Sequence, residues 1–322
     1  MWSEAAYTAS VKRAADAGVD KFNYSSKVSS GAVAKESHET LDPKKFKAGI
    51  REARDSTDHP NSKPVFVGLD VTGSMRDVPR MIQGKLPTLM GLLVRKGYLA
   101  DPAICMSAIG DANYDRVPLQ VGQFESGIEI DDDISNIYME GGGGGNMHES
   151  YDLALFFLAR CAKFDAWEKR QQKGYAFIIC DEELEGSVRK EHVERVYGSS
   201  MGLESDIAIE DLMAEVLERW ELYVIIPKMT SHFNDPKYSA RWRKLLNERV
   251  LMLDDPNGIS ELIASTIGIL EENTDMDSLV ADLTSAGVDG NTAASVSRAL
   301  ATVGNGERGI SQLSKAPGLT SL

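Results

Sequence analysis

Short apolar runs alternate with longer amphipathic stretches from Pro64 to about residue 272, and this alternation constrains the fold more than any other feature. The apolar runs predict buried strands at 65–70, 103–109, 175–181, 222–227 and 249–253. The amphipathic stretches predict helices at 78–95, 149–161, 207–219, 237–247 and 258–270. Strands and helices in this order predict an α/β class, doubly wound fold whose mostly parallel sheet is flanked by helices.

The sequence outside this region predicts smaller appendages. Residues 1–62 are expected to form an N-terminal arm with one or two short helices, ending in the turn-rich run DSTDHPNS at 55–62. Residues 63–272 would form the main domain. Residues 273–303 predict a helical hairpin, with helices at 276–286 and 291–302, and the Gly/Ser-rich residues 304–322 predict a mobile tail.

Composition narrows the classes of function. A formal net charge of −14 disfavours binding to nucleic acid. The sequence has no apolar run near the roughly 18 residues that a membrane span needs, and its first residues do not resemble a signal peptide. The three cysteines, Cys105, Cys161 and Cys180, lack the spacing of metal ligands. We therefore expect buried free thiols and a cytoplasmic protein.

The run DVTGS at 70–74 marks the predicted functional site. The first predicted strand ends at Asp70, and hydroxyl side chains follow at Thr72 and Ser74, around a turn at Gly73. One carboxylate and two hydroxyls at the carboxyl end of a strand supply hard oxygen ligands, which suit Mg²⁺ or Mn²⁺. Taken alone, the run would also be compatible with a helix cap and a tight turn.

This motif resembles the first motif of the von Willebrand factor A (vWA) domain family, with Thr72 where a serine is more usual. The resemblance covers residues 63–272. It implies a metal-ion-dependent adhesion site, here in a variant form, at the top of a doubly wound sheet, as in intracellular bacterial or phage-type members. A later strand of the family ends in an aspartate that supports the metal. The run FIICD at 177–181 matches it and implies that role for Asp181, although Glu182 replaces the usual glycine.

The family's threonine ligand has no direct counterpart in this chain. The corresponding region reads EGGGGGNMHES at 140–150. Counting back from the following helix places Glu149 at the ligand position, whereas counting forward from the glycines favours Asn146. We favour Glu149, because a carboxylate is a common ligand of divalent cations. The expected cation is Mg²⁺, with Mn²⁺ or Ca²⁺ as alternatives.

The resulting functional hypothesis is a nonenzymatic module that binds a protein partner through a divalent cation. Asp70, Thr72 and Ser74 would contact the cation directly, and Asp181 with Glu149 or Asn146 would complete the site. The family resemblance suggests an adaptor for a ring-forming AAA+ ATPase or a component of a larger assembly, with no role at a membrane.

Two alternatives remain open at this point. In the first, the protein is structural and self-assembling, with an arm, hairpin and tail that wrap neighbouring copies while the cation only braces a loop. In the second, Asp70 is the nucleophile of an aspartyl-phosphate phosphotransferase, since DVTGS also resembles that motif. The loop GDANYD at 110–115 is expected beside the metal site, where Asp111 and Asp115 would bind a second cation or a basic partner, or would simply be solvated.

Overall fold

A computed structural model describes residues 3–16, 18, 22–141 and 148–304. Its strands are β1 (Arg51–Ala53), β2 (Lys63–Asp70), β3 (Pro102–Ile109), β4 (Leu119–Val121), β5 (His148–Glu149), β6 (Ala162–Phe164), β7 (Gly174–Ile179), β8 (Glu183–Leu184), β9 (Ser187–Val188), β10 (Ile207–Ala208), β11 (Trp220–Pro227) and β12 (Val250–Leu253). Its helices are α1 (Glu4–Asp16), α2 (Asn23–Ser29), α3 (Val78–Gly84), α4 (Leu86–Met90), α5 (Glu129–Ser135), α6 (Tyr151–Phe156), α7 (Asp165–Arg170), α8 (Lys190–Tyr197), α9 (Ile209–Arg219), α10 (Pro236–Leu246), α11 (Ile259–Leu270), α12 (Leu279–Ser285) and α13 (Gly290–Gly304).

The central sheet has six strands in the order β12-β11-β7-β2-β3-β4. Neighbouring strands are parallel except for β4, which pairs antiparallel with β3. Every residue of β3, β7 and β11 is buried. A parallel sheet covered on both faces requires continuous apolar strands, which explains why the sequence shows runs instead of alternation. The predicted mostly parallel α/β fold with flanking helices is confirmed.

The two faces of the sheet bury separate parts of the core. Val65, Val67 and Leu69 on β2 pack on one side with residues of α4, α11 and α13. Phe66 points to the other side, where residues of α6, α9 and α10 cover the sheet. This division follows from the alternation of side chains along a strand. It leaves the carboxyl ends of the strands as the edge where loops gather.

Two predicted helices differ from the observed ones. The helix predicted at 78–95 is divided at Lys85 into α3 and α4, and it ends in a π-helical turn at Gly91–Arg95. The division is explained by Pro87, which has no N–H and whose ring disfavours a continuous helix. The helix predicted at 149–161 begins only at Tyr151, because Glu149 pairs with Leu184 in the small parallel sheet of β5 and β8.

Nothing in the sequence predicted β4, α8 or the three two-stranded sheets β1-β6, β5-β8 and β9-β10. These strands have only two or three residues each, so they carry no readable periodicity. Their partners are distant in the chain, and only the tertiary structure brings them together.

The segments on either side of residues 63–272 pack against the central domain. Phe22 and Leu41 are buried in its core, and β1 pairs with β6. At the other end, Leu279 and Leu283 of α12 are fully buried, and α13 packs on α11 and β12. The tail predicted at 304–322 lies outside the described residues beyond Gly304. Within the described ranges, no helix combines the length and the apolarity needed to cross a membrane.

Candidate metal centre

Neighbouring parallel strands bring the two predicted aspartates to one edge of the sheet. β2 ends at Asp70, and Leu69 pairs with Ile179 at the end of β7. Asp181 follows two residues later, so both carboxylates lie beyond the carboxyl ends of adjacent strands, where ligands of such sheets bind. Asp70 and Asp181 are buried, with exposed fractions of 0% and 1%.

Two hydrogen-bonded pairs, Thr72 with Asp70 and Ser74 with Asp181, lie next to each other and form what we call the hydrogen-bonded side of the site. The Thr72 hydroxyl donates to Asp70 Oδ1 at 2.6 Å, and the Ser74 hydroxyl donates to Asp181 Oδ1 at 2.7 Å. The backbone N–H of Thr72 also donates to Asp70 Oδ1 at 2.8 Å. The two hydroxyl oxygens are 3.2 Å apart.

These bonds determine what the two hydroxyls can still do. Each hydroxyl has one proton, and the carboxylates of Asp70 and Asp181 accept both of them. The oxygens of Thr72 and Ser74 therefore face each other with lone pairs only. Adjacent ligands of an octahedral Mg²⁺ site lie about 3 Å apart, given bonds of about 2.1 Å. The observed 3.2 Å separation of the hydroxyl oxygens fits a cation that bridges them.

Two further groups secure the carboxylates of this side. The Tyr151 hydroxyl donates to Asp70 Oδ2 at 2.5 Å, and the Tyr151 ring is fully buried 5.7 Å from that of Trp242. The backbone N–H of His232 donates to Asp181 Oδ2 at 3.2 Å. Sequence reasoning missed Tyr151, although its position in the first turn of the helix after the glycine run could have suggested it.

Three other carboxylates form what we call the unpartnered side: Asp111, Glu149 and Glu182. Their exposed fractions are 1%, 2% and 7%, and each has one carboxylate oxygen without a hydrogen-bond partner among the described residues. The pairing of β5 with β8 holds Glu149 beside the chain that follows Asp181. Glu182, which replaces the glycine of the vWA pattern, thus adds a buried charge that the sequence analysis did not use.

Burial and the repulsion between negative charges raise the pKa values of several carboxyl groups at the site. Burial raises the pKa of Glu149 to about 10, with further contributions from the negative charges of Asp70 and Glu182. Burial and the charge of Asp70 raise the pKa of Glu182 to about 8. Burial also raises the pKa of Asp70 to about 7, although hydrogen bonds from Thr72 and Tyr151 oppose that shift. Without a cation, the site therefore retains protons at neutral pH.

The donor set fits a hard cation held mainly by mixed oxygen ligands. Among the described residues, no group of three or more His, Cys, Asp or Glu side chains could hold a metal ion. A cation at this edge would therefore depend on the hydroxyl oxygens of Thr72 and Ser74. Glu149 contributes a buried oxygen without a partner, whereas Asn146, the other predicted ligand, lies outside the described residues.

The loop after β3 borders the same group of carboxyl groups. Asp111 and Asp115 both contribute to the raised pKa of Glu149, which places their charges near it. The loop is tied to the residue after Glu149, because Ala112 N donates to Ser150 Oγ at 2.7 Å and Ser150 N donates to Gly110 O at 3.0 Å. Both aspartates are buried, so the solvated loop of the sequence analysis is not what the structure shows for these side chains.

Access to the site lies at the turn between the two hydroxyls. Gly73 is exposed and Ser74 is only half-buried, while Asp70, Thr72 and Asp181 are buried. An approaching group would therefore reach the Ser74 hydroxyl first and the carboxylates last.

Comparisons with known proteins give structural likenesses only. No family model matches the chain, and no curated protein matches it. Proximal thread matrix protein 1 from the mussel byssus is 8% identical with a TM-score of 0.42, over 65% of this chain and 46% of that one. The pilus adhesin SpaC from Lactobacillus rhamnosus GG, in its open conformation, is 8% identical with a TM-score of 0.42, over 66% of this chain and 30% of that one. The chain thus spans less than half the length of these structures.

Proposed function

We propose that this protein is a divalent-cation-dependent protein-interaction module, and that a partner's acidic side chain completes the coordination of the cation. When bound, the cation would supply an electrophilic centre for that carboxylate. The observation that carries the proposal is the pair of hydroxyl oxygens, Thr72 and Ser74, whose protons are both taken by buried carboxylates.

Each residue of the hydrogen-bonded side has a distinct task in this proposal. Thr72 and Ser74 present lone pairs to the cation. Asp70 and Asp181 orient the two hydroxyls and supply negative charge behind them. Tyr151 holds the second oxygen of Asp70 and thereby fixes the orientation of its carboxylate. The half-buried Ser74 leaves room for a partner on the solvent side.

Glu149 sets how strongly the site would hold a cation in the absence of a partner. The buried carboxyl group of Glu149 lies close enough to Asp70 for their charges to interact, so its charge would strengthen cation binding and weaken the attraction for an incoming acid. This observation favours a second candidate function, in which the cation braces the loops at the sheet edge and binds no partner. The two functions differ in whether removal of the cation releases another protein.

The setting of Asp70 supports a nonenzymatic role over the phosphotransferase alternative. A nucleophilic carboxylate needs an accessible oxygen. Asp70 has none of its surface exposed, and Thr72 and Tyr151 occupy its two oxygens.

The cellular context that we propose is the cytoplasm, with a ring-forming ATPase or a larger assembly as the partner. The three cysteines are buried and free, as expected in a reducing compartment. The buried faces of β1 and of α12 contact their own chain, which supports an adaptor over a protein that wraps its neighbours.

Cation binding and partner binding can be tested in one experiment. Tb³⁺, which replaces hard divalent cations at oxygen sites, would be titrated into wild-type protein and Asp70→Ala. Its luminescence would be sensitised by the nearby aromatic rings of Tyr151 and Trp242, since Trp242 Nε1 donates to Glu182 O at 3.3 Å. The exposed Asp58→Ala is the matched control, because it removes the same charge from a loop before β2. The same proteins would then be used in pull-downs from a lysate of the source organism, in Mg²⁺ and in EDTA.

The expected outcome is a Tb³⁺ signal that Mg²⁺ displaces, present in wild-type protein and Asp58→Ala and lost in Asp70→Ala. A protein retained only in Mg²⁺, and only by the first two, would support the interaction module. If cation binding is seen but the same proteins stay bound in EDTA, the bracing role is favoured. Absence of any cation binding to folded wild-type protein would refute both.

A further inference from the structure

We infer that the loop at residues 110–117 is a docking surface with Tyr114 as its apolar anchor, and that it fits an acidic segment of a partner protein that carries an apolar side chain. This inference deepens the proposed function and rests on it. The loop follows β3 and is joined to the residue after Glu149 by the hydrogen bond from Ser150 N to Gly110 O, so a partner bound at the cation would lie beside the loop.

Tyr114 is unusual among the described residues because its side chain is apolar, large and exposed. Its exposed fraction is 60%, and the only other large hydrophobic residue that is exposed in the described part is Val280, at 39%. Tyrosine is enriched in protein interfaces and among the residues that contribute most to binding energy. Val280 lies on α12, so it provides a comparison outside the loop.

The loop that carries Tyr114 is held in place by its own hydrogen bonds. Asp111 Oδ1 accepts from Asn113 N at 2.7 Å and from Asn113 Nδ2 at 3.0 Å. Asp115 Oδ2 accepts from Asp111 N at 2.8 Å, and Asp115 N donates to Asp111 O at 2.8 Å. A side chain presented by an ordered loop loses less conformational freedom on binding, so more of its contact energy becomes affinity.

Arg195 supports the loop from α8. Its guanidinium donates to the backbone oxygens of Ala112, Asp115 and Arg116. Together with the bonds between Ala112 and Ser150, this support fixes the loop on both flanks of Tyr114. Tyr114 itself remains exposed between the two supports.

The loop ends at a mainly basic cavity, in a chain with a net charge of −14. Arg116 is exposed and makes no ion pair with another described residue, whereas Arg189, whose Nη1 lies 3.3 Å from Asn113 Oδ1, also pairs with Glu185 at 3.8 Å. Four basic and two acidic residues line an open cavity of about 390 Å³ that begins at Arg116: Lys35, Lys44, Arg116, Arg195, Glu36 and Asp42. The basic charge of this cavity complements an acidic segment bound along the loop.

The test uses a phage-displayed random heptapeptide library as the probe. The library is selected on wild-type protein in Mg²⁺ and eluted with EDTA, and the selection is repeated on Tyr114→Ala. We expect wild-type protein to enrich peptides that combine Asp or Glu with a neighbouring apolar residue. Tyr114→Ala should still enrich the acidic residue but lose the apolar preference.

One peptide from the wild-type selection is then synthesised and its Kd is measured for each variant. We expect about tenfold weaker binding by Tyr114→Ala, little change for Tyr114→Phe, and no change for the control Val280→Ala. Tb³⁺ affinity should be the same in all four proteins, because Tyr114 is not a ligand.

The outcomes separate this inference from the proposed function. If acidic peptides are eluted by EDTA but show no apolar preference, or if Tyr114→Ala binds the peptide as tightly as wild-type protein does, the docking surface is refuted and the interaction module stands. If EDTA elutes no enriched peptide from the wild-type protein, the interaction module fails and the docking surface fails with it.

Discussion

The two sides of the candidate site solve the problem of buried charge in opposite ways. On the hydrogen-bonded side, both oxygens of Asp70 and both oxygens of Asp181 accept hydrogen bonds. On the unpartnered side, Asp111, Glu149 and Glu182 each bury an oxygen that has no hydrogen-bond partner within the described parts of the chain. A buried unpaired carboxylate is costly unless it takes up a proton or meets a cation.

The difference indicates a division of labour. On the hydrogen-bonded side, hydrogen bonds to Asp70 and Asp181 fix the hydroxyl groups of Thr72 and Ser74, so this side would determine where a cation binds. On the unpartnered side, burial of an ionised carboxylate costs free energy. Only protonation or a bound cation would remove this cost. Stability and cation affinity should therefore respond differently when each side is altered.

The largest expected effect is the pH dependence of stability in EDTA. The pKa values of Glu149, Glu182 and Asp70, at about 10, 8 and 7, all lie above those of the unfolded chain. Between pH 5 and 8 the folded protein therefore holds protons that the unfolded protein releases, so stability falls as the pH rises. Each group that stays protonated over this window contributes on the order of 4 kcal/mol to the fall. Urea denaturation at each pH measures it.

Mg²⁺ at saturating concentration should reduce this pH dependence, because the cation replaces protons as the balancing charge. Glu149→Gln should flatten the profile in EDTA. A stability that rises from pH 5 to pH 8 in EDTA would contradict our account of the unpartnered side.

The next largest effect is expected for Asp70→Ala on the hydrogen-bonded side. Loss of this carboxylate leaves the hydroxyls of Thr72 and Tyr151 without their acceptor, so the free energy of unfolding should fall by about 2–4 kcal/mol. Tb³⁺ affinity should fall by about 100-fold. Urea denaturation and Tb³⁺ titration measure the two effects, with Asp58→Ala as control. Wild-type affinity in a folded Asp70→Ala protein would show that the cation, if any, binds elsewhere.

Glu149→Gln should change stability in the opposite direction. At pH 7 the folded protein must keep Glu149 protonated, whereas a glutamine is neutral without this cost. We expect the free energy of unfolding in EDTA to rise by about 1–3 kcal/mol, while Tb³⁺ affinity falls by roughly tenfold. If the variant is less stable in EDTA than wild-type protein, Glu149 stabilises the fold and its carboxyl group is not held there for a cation.

The smallest effect is expected for Tyr151→Phe. Asp70 Oδ2 loses its donor, so the free energy of unfolding should fall by about 1–2 kcal/mol. Since Thr72 still orients the other oxygen, the change in Tb³⁺ affinity should stay below about tenfold. Tyr197→Phe is the matched control, because its buried hydroxyl donates to Leu153 O at 3.0 Å outside the site. The control should lose a similar amount of stability and no Tb³⁺ affinity. If both variants lose the same Tb³⁺ affinity, Tyr151 does not position Asp70 for the cation.

Much of the architecture was predictable because buried parallel strands leave a strong signal. The apolar runs at 65–70 and 222–227 lie within β2 and β11, and 103–109 lies within β3. Asp70, Thr72 and Ser74 could be placed together from the sequence because they lie within five consecutive residues, at the strand end and in the turn that follows it. The division of the helix at Lys85 was also signalled, by Pro87, but the amphipathic pattern continues across it.

The unpartnered side was harder to predict because it depends on contacts between distant segments. Glu149 was proposed as a ligand from a helix start, yet a two-residue strand positions it instead. Glu182 was noted only as the replacement of a glycine, and Tyr151 was not identified, since the sequence does not show that Glu182 is buried or that the Tyr151 hydroxyl reaches Asp70.

The sequence by itself determined the α/β class, the order of the main strands and the group of oxygen-bearing side chains at the end of β2, because each follows from local periodicity or short spacing. Only the tertiary structure decided which carboxylates share the pocket and which oxygens lack partners. The physical reason is that burial and hydrogen bonding between distant residues arise when strands pair and loops pack, and a linear pattern does not encode those distances. Tyr114 is one example: the sequence shows that a tyrosine is present, but only the fold shows that it is exposed on an ordered loop.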